Sequence, residues 1–264
     1  MELPEGEAPV PVKAMIYVGL DELRRRRELL VKLSFPSENL GYALRILDDL
    51  ERLGVREIAF IEAGGRLDPL MLGKGYRGLV LRARLEDEDA ALKILRTDST
   101  VSSLEREAEA TSLANSVNVG PLLLGYSSKV LVLELIEGTS LDRWLEKVAE
   151  EDSGKLKRVL RGCFEDARKL DVIGLDHGEL SDVRKHVIVR SSLEPVIIDF
   201  GKASKRRRPS NVTSLFSYFA FGPHSRKILK MLEIDDPPLR EVREYKRRMD
   251  HRSFMKLIRA LNLA

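Results

Sequence analysis

Apolar residues recur along the chain at two spacings, and each spacing predicts a different element. Helical spacing predicts a helix over Asn39 to Leu53 and an earlier one over Leu20 to Leu33, which Pro36 ends. Alternation of apolar and polar side chains predicts a strand over Leu79 to Leu85. Residues 1–13 show neither pattern and are predicted to form a loose tail.

Strand patterns dominate the first half of the chain and helix patterns the second. Further strands are predicted at Val55–Ile61, Ala90–Leu95 and Val130–Ile136, with one helix at Ser103–Asn115 among them. After Gly138 the chain is mainly helical, apart from short strands at 186–189 and 196–198. This order predicts an α+β fold. We expect an N-terminal helical extension over 1–66, packed on or near a sheet-rich lobe over 67–137, and a helical lobe over 138–264.

Composition narrows the class of protein and the compartment. The 264 residues are 43% hydrophobic and 33% charged, with a net charge of +3. Such a chain is typical of a globular protein, and this charge neither requires nor excludes a nucleic-acid partner. No apolar run approaches a bilayer span, and the acidic, proline-rich start does not resemble a signal peptide. The single cysteine, Cys163, is predicted to be a buried apolar residue. We expect a cytoplasmic protein with no membrane partner.

A glycine-rich segment at Leu72–Val80 has the pattern G-x-G-x-x-G-x-V, with glycines at 73, 75 and 78. A dinucleotide-binding fingerprint requires a helix directly after the third glycine, and here an alternating strand follows. A loop between two strands that covers phosphates is the arrangement found in protein kinases. An ordinary glycine-rich hairpin is the alternative.

Lys93 lies on the next predicted strand, within the A-x-K pattern of Ala91-Leu92-Lys93. A kinase lysine of this kind pairs with phosphates and is held by a helix glutamate. The helix at 103–115 offers Glu105, Glu107 and Glu109, and only Glu107 borders its apolar stripe. We therefore predict Glu107 as the partner of Lys93, with Glu109 in reserve. The alternative is that the lysine and the glutamates are all solvated.

Two further motifs follow in order. The run Asp176 to Ser181 contains His177-Gly178-Glu179-Leu180, and the apolar strand at 196–198 leads directly into Asp199-Phe200-Gly201. A carboxylate at the end of a buried strand is suited to Mg²⁺, which prefers oxygen ligands. Asp199 is therefore the predicted metal ligand. The four motifs together, in this order, are far less common than any one alone.

These motifs make the chain resemble the atypical kinases that include RIO kinases, lipopolysaccharide kinases and small archaeal predicted serine/threonine kinases. The resemblance covers Leu67 to the C-terminus. It implies a two-lobed protein-kinase-like fold with a reduced helical C-terminal lobe, extra N-terminal helices, and ATP and Mg²⁺ as cofactors. The segment Leu133 to Ile136 would reach the adenine edge. The residues implied to bind nucleotide are Gly73, Lys74, Gly75, Gly78, Val80, Ala91, Lys93, Glu107, Glu134 and Ile136.

The chain departs from that family at two positions. Glu179 stands where the catalytic aspartate is expected, and its extra methylene displaces the carboxylate by about an ångström. The metal-binding asparagine expected before the next strand is absent, because 184–186 reads Arg-Lys-His. Glu179, Lys93 and Asp199 are the predicted catalytic residues. His177 is expected to brace the backbone near Phe200.

The function that this resemblance implies is an ATP-dependent serine/threonine protein kinase acting on a protein substrate. A nucleotide-binding pseudokinase or ATPase-like switch is an alternative, as is a small-molecule kinase on the same fold. Basic runs at 24–27 and 205–208 are predicted either to be solvated or to meet an acidic substrate or RNA, including RNA in a ribosomal particle.

Overall fold

A computed structural model describes residues 14–264, so the predicted tail over 1–13 lies outside the described residues. The chain divides into two compact units. The first unit contains the described residues up to Leu104 together with Leu124–Leu135, and the second contains Glu105–Leu123 and Ile136–Ala264.

The first unit is built on an eight-stranded sheet. Its strands are β1 (Ala14–Gly19), β2 (Val55–Ala63), β3 (Arg66–Pro69), β4 (Met71–Lys74), β5 (Gly78–Leu85), β6 (Glu88–Leu95), β7 (Leu123–Tyr126) and β8 (Val130–Glu134). The main order is β1-β2-β5-β6-β8-β7, while β3 pairs with β2 and β4 with β5. The central pairings β2–β5, β5–β6 and β6–β8 are antiparallel.

Helices before β2 cover part of this unit. They are α1 (Leu20–Arg25), α2 (Arg27–Leu30), a 3-10 turn (Val31–Ser34) and α3 (Leu40–Arg52). The α3 prediction is confirmed, and the Asn39 side chain caps the helix by accepting from Tyr42 N at 2.8 Å. The single helix predicted over 20–33 is wrong: Arg26 has non-helical backbone angles of φ −98° and ψ 78° and separates α1 from α2.

The segment before residue 67 takes part in the sheet itself. β1 pairs with β2, and β2 pairs with β5 at the centre. The predicted N-terminal extension was helical, so β1 corrects that description. Helices and sheet share one apolar core, whose fully buried members include Leu23, Ile46, Leu50, Ile58, Phe60, Leu81 and Leu92.

The second unit is mainly helical. Its helices are α4 (Glu105–Asn115), α5 (Leu141–Lys147), α6 (Ser153–Val172), α7 (Asn211–Phe221), α8 (Ser225–Met231), α9 (Leu239–Arg248) and α10 (His251–Ala260). A three-stranded sheet contains β9 (Thr139–Ser140), β10 (Val187–Val189) and β11 (Pro195–Ile197), with β10 in the middle. Its separate core includes Phe164, Phe216, Phe219, Tyr245 and Phe254. Cys163 is fully buried there, as predicted, and burial raises the pKa of its thiol.

The observed fold is α+β, with a largely antiparallel sheet in the first part and helices in the second, as the element order predicted. Between residues 14 and 264, no helix has both the length and the apolar character required to cross a membrane.

Candidate functional site

The glycine motif forms the hairpin between β4 and β5 in the first unit. Gly75 N donates to Gly78 O at 3.0 Å, which closes the turn. A Cβ placed on Gly78 would lie 2.9 Å from Lys93 Cγ, whereas the nearest atoms to a Cβ on Gly73 and on Gly75 are 4.0 Å and 3.5 Å away. Only Gly78 of the three is therefore required by close contact, because it lets Lys93 lie against the backbone.

Lys93 lies on β6 opposite Val80, and only 6% of the residue is exposed. The structure thus places this lysine inside the protein and not in solvent, where strand lysines usually extend. Ala91, two positions earlier on the same strand, pairs with Leu133 of β8. Burying an ammonium group is unfavourable unless a negative group or hydrogen-bond acceptors compensate it. The position of Lys93 therefore differs from that of an ordinary, solvent-exposed strand lysine.

The remaining residues predicted to bind nucleotide divide between the units. Lys74 ends β4, and its ammonium lies 4.2 Å from the centroid of the Phe35 ring. Glu134 ends β8, where it pairs with Ala90, whereas Ile136 belongs to the second unit. Their contact with a nucleotide stays a prediction.

Asp199 follows β11 in the second unit with a backbone φ of 66°. This left-handed conformation is uncommon for residues other than glycine, although aspartate adopts it more readily than most. Its Oδ1 accepts from Gly201 N at 3.3 Å, so the carboxylate turns back over its own loop. The side chain is half-buried and offers the hard oxygen ligands that Mg²⁺ prefers. Its chemistry therefore fits the predicted ion.

Glu107 lies on α4 in the same unit and is 6% exposed, whereas Glu105 and Glu109 are exposed. Its Oε2 and the Oδ1 of Asp199 would each lie 3.1 Å from a Cβ placed on Gly201. Two carboxylates therefore converge on Gly201, and a side chain there would displace them. Because Lys93 belongs to the other unit, its pairing with Glu107 stays a prediction.

His177 supports the loop before Asp199, as expected. It is fully buried, its Nε2 donates to Ile198 O at 3.1 Å, and its ring meets the edge of Phe200 at a centroid distance of 5.1 Å. Burial, reinforced by nearby His186, lowers the pKa of His177 to about 4. The imidazole is therefore neutral at pH 7, with its proton on Nε2, where the carbonyl accepts it.

Glu179 occupies the predicted catalytic-base position in a partly exposed loop. Its Oε1 accepts from Lys202 Nζ at 2.7 Å, and His186 Nε2 lies 3.9 Å from the same oxygen. No sequence pattern indicates the Lys202 ion pair, because 23 positions separate the two residues. Glu179 is thus held by a cation from the segment after Asp199.

The basic run at 205–208 is partly structural, which neither sequence interpretation anticipated. Arg207 Nε donates to the buried Asp176 carboxylate at 2.8 Å, and its Nη2 donates to Lys202 O at 2.6 Å. The same guanidinium covers Gly178, whose φ is +85° and where a Cβ would collide with it. Arg208 donates to the carbonyl of Lys246. Lys205 and Arg206 remain exposed.

A buried polar network supports the loop that contains His177, and no sequence pattern predicts it. Ser210 holds the cap position of α7, and Asn211 is the first helical residue. Its Oδ1 accepts from His177 N, and its Nδ2 donates to Asp171 Oδ1, both at 2.8 Å. Asp171 also accepts from Tyr245 OH at 2.8 Å. Against these donors, burial raises the pKa of the Asp171 carboxyl.

The region expected to carry a metal-binding asparagine is arranged differently. Asp182 begins a short 3-10 turn at Val183–Lys185, and Arg184 grips its two oxygens at 2.7 Å and 2.6 Å. The Arg184 guanidinium is therefore paired with the Asp182 carboxylate, while Lys185 is exposed.

One further group of metal-ligating residues lies elsewhere in the second unit. One atom each from Asp142, Glu146 and His224 lie within 4.8 Å of one another, and His224 Nε2 is 2.9 Å from Asp142 Oδ1. Tyr218 OH also donates to that oxygen. Such groupings are common without a metal, so this one is unspecific.

Comparison with known proteins does not assign a function to these residues. No protein-family model matches the chain. An uncharacterized protein of Methanocaldococcus jannaschii is 27% identical to it over 114 residues, which are 43% of this chain and 94% of that protein. The similarity covers less than half of the chain, and the relative has no assigned activity to carry over.

Proposed function

We propose that the protein is a protein-kinase-like phosphotransferase that uses Mg-ATP and transfers the γ-phosphoryl group to a serine or threonine of a protein substrate. The observation that carries the proposal is the burial of Lys93 against Gly78, on the strand that follows a glycine-rich hairpin. A solvated strand lysine would need neither the burial nor the glycine.

In this proposal the first unit acts on the phosphates. The backbone of the glycine hairpin covers them, and the ammonium of Lys93 binds the α- and β-phosphates. Val80 and Ala91 would line the space for the adenosine, and the backbone at Glu134 and Ile136 would meet the adenine edge. Gly78 makes the lysine position sterically accessible.

The second unit would supply the metal ligand and the base. Asp199 would hold Mg²⁺, whose charge would stabilise the transferring phosphoryl group. His177 holds the loop backbone in place through Ile198 O. Both contacts of Glu179 described above engage Oε1, and we assign Oε2 to the acceptor hydroxyl, whose proton it would take. Glu107 would steady Lys93.

A nucleotide-binding pseudokinase is the second candidate. Its support is the pairing of the predicted base with Lys202, together with the engagement of Asp182 by Arg184 where the family carries its asparagine. Both features would leave nucleotide binding intact while slowing transfer.

Transfer of labelled γ-phosphate from Mg-ATP tests the proposal. Wild-type protein is compared with Glu179→Gln and Asp199→Asn, and with Asp87→Asn in an exposed turn as a matched charge control. We expect label on protein with wild type and the control, and a loss of about a hundredfold or more in the other two. Bound ATP without any transfer would favour the pseudokinase.

A further inference from the structure

The first unit contains a second candidate binding site, separate from the glycine hairpin. An open surface cavity of about 580 Å³ lies between the start of α3, the segment that follows β6 and the turn before β8. Its volume falls within the range of roughly 300–1,000 Å³ that small-molecule sites occupy. All of its lining residues belong to the first unit. We call it the α3–β6 cavity.

Three cationic side chains from three chain segments line this cavity, with one carboxylate among them. Arg45 comes from α3, Arg96 follows β6, and Lys129 precedes β8, while the carboxylate is Asp98. Arg96 Nε and Nη2 donate to Asp98 at 2.8 Å and 2.7 Å, so these two charges compensate each other. The lining therefore carries an excess of positive charge from Arg45 and Lys129.

Arg45 and Lys129 both have hydrogen-bond donors that could bind a ligand. Within residues 14–264, Arg45 forms no hydrogen bond or ion pair, and its guanidinium lies 5.9 Å from the Tyr42 ring. Lys129 Nζ donates to Ser102 O at 2.5 Å, which uses one of its three donors.

Uncharged groups line the rest of the cavity. Tyr42 is half-buried, and its hydroxyl donates to Leu95 O at 2.6 Å. Burial raises the pKa of Tyr42 to about 12, so the ring stays neutral. Leu95 and Val101 also line the cavity, as do several serine and threonine hydroxyls. The space is larger than a lone inorganic anion requires and offers apolar surface for a carbon skeleton.

We propose that the α3–β6 cavity binds a small phosphomonoester. Arg45 and Lys129 contact its phosphate, whose charge near −2 matches the two uncompensated cations. The serine and threonine hydroxyls donate to the remaining phosphate oxygens, and the organic part lies on Tyr42.

Arg96 connects this cavity with the glycine hairpin. Its Nη1 donates to Gly75 O at 3.3 Å, and its backbone N donates to Arg77 O at 2.9 Å. Its guanidinium and the Lys74 ammonium lie over the same Phe35 ring, at 5.0 Å and 4.2 Å. The cavity site does not include Lys93, so the two sites can be separated by substitution.

Ribose 5-phosphate, ribose and inorganic phosphate are the probes of the test. Each is titrated into the full-length protein, and backbone amide shifts are followed by NMR at the cavity residues Ser99 and Ser102. The variants are Arg45→Gln and Lys129→Gln, with Arg56→Gln as a control. Arg56 is an exposed arginine of β2 in the same unit, outside the cavity lining. Lys93→Met tests independence from the nucleotide proposal.

We expect saturable binding of ribose 5-phosphate with shifts at the cavity amides, weaker binding of inorganic phosphate and none of ribose. Arg45→Gln and Lys129→Gln should each weaken the sugar phosphate about tenfold, as the loss of a charge-assisted hydrogen bond implies. Arg56→Gln and Lys93→Met should leave it unchanged. Absence of binding up to about 10 mM, equal affinity for inorganic phosphate, or indifference to both cavity substitutions would overturn the proposal.

Discussion

Different interactions hold the candidate functional residues of the two units in position. In the first, Lys93 is positioned by strand register and by close packing against a glycine, within an apolar core. In the second, the loop from Asp176 to Glu179 is held by buried polar groups that hydrogen-bond across long stretches of sequence. Adding atoms to a packed space causes strain, whereas removing a member of a buried polar network leaves its partner without a hydrogen bond. Substitutions should therefore affect the two regions differently.

Removal of the Asp171 carboxylate should have the largest effect. Asp171→Ala leaves the buried donors of Asn211, Tyr245 and Val212 without their acceptor. We expect the free energy of unfolding to fall by about 3 kcal/mol or more, because each buried donor left without its acceptor costs about 1 to 3 kcal/mol. Urea denaturation measures it. Glu165→Ala, at a partly exposed ion pair of the same helix, should cost less than about 1 kcal/mol; equal losses would refute the network's role.

His177 should make stability depend on pH. Its pKa is about 4 in the folded protein and 6.5 in the unfolded chain. Because the folded pKa is the lower one, its contribution is present above pH 6.5 and is lost as the pH falls towards 4. The loss should reach about 3 kcal/mol.

Urea midpoints across this pH window check the prediction against His177→Asn, which retains a donor for Ile198 O. On acidification the variant should lose less stability than wild type. The slopes of the unfolding free energy against pH should differ by up to the value for one bound proton. Identical slopes would show that His177 does not titrate as described.

The glycine hairpin offers a matched pair of substitutions. Gly78→Ala places a Cβ 2.9 Å from Lys93 Cγ and 3.3 Å from Ile94 O, whereas Gly73→Ala meets nothing closer than 4.0 Å. We expect Gly78→Ala to destabilise the protein by about 1 to 3 kcal/mol and to weaken ATP binding, because Lys93 must move. Thermal denaturation and nucleotide titration measure both effects. If Gly73→Ala had the larger effect, steric contact with Lys93 would not explain the motif.

The basic run should divide into one structural and one dispensable arginine. Arg207→Gln removes a donor from the buried Asp176 carboxylate and should cost about 1 to 3 kcal/mol. Arg206→Gln, which removes the same charge from an exposed side chain, should change stability by less than about 0.5 kcal/mol. Thermal denaturation of the two variants measures the difference. If the run acted only as one charged surface, both variants would change stability by the same amount.

Sequence patterns indicated individual residues better than the contacts that hold them. The A-x-K pattern indicated Lys93, which is buried in the first unit, and helical spacing selected Glu107, which is buried in the second unit. The residues that brace the second loop are Asp171, Arg207, Asn211 and Tyr245. They are scattered along the chain and follow no period, because each is selected by a contact in the folded protein.

The errors in the fold prediction have the same origin. Strand β1 is recognised only through its pairing with β2, about forty residues later in the chain. The break between α1 and α2 falls in a run of arginines, where helix propensity is high; the Arg26 side chain instead pairs with both Glu22 and Glu28. Local patterns predict elements, while contacts in the folded chain, distant for β1 and near in sequence for Arg26, set their limits.

The most direct test of the central proposal is calorimetric titration of ATP, with and without Mg²⁺, into wild type, Lys93→Met and Asp199→Asn. Methionine fills the space of the buried lysine without its charge, and Lys155→Met removes an exposed lysine of α6 as a control. We predict saturable binding by wild type and the control, a loss of at least about tenfold in Lys93→Met, and no Mg²⁺ dependence in Asp199→Asn. Absence of ATP binding by wild type, or equal affinity in Lys93→Met, would contradict the assignment.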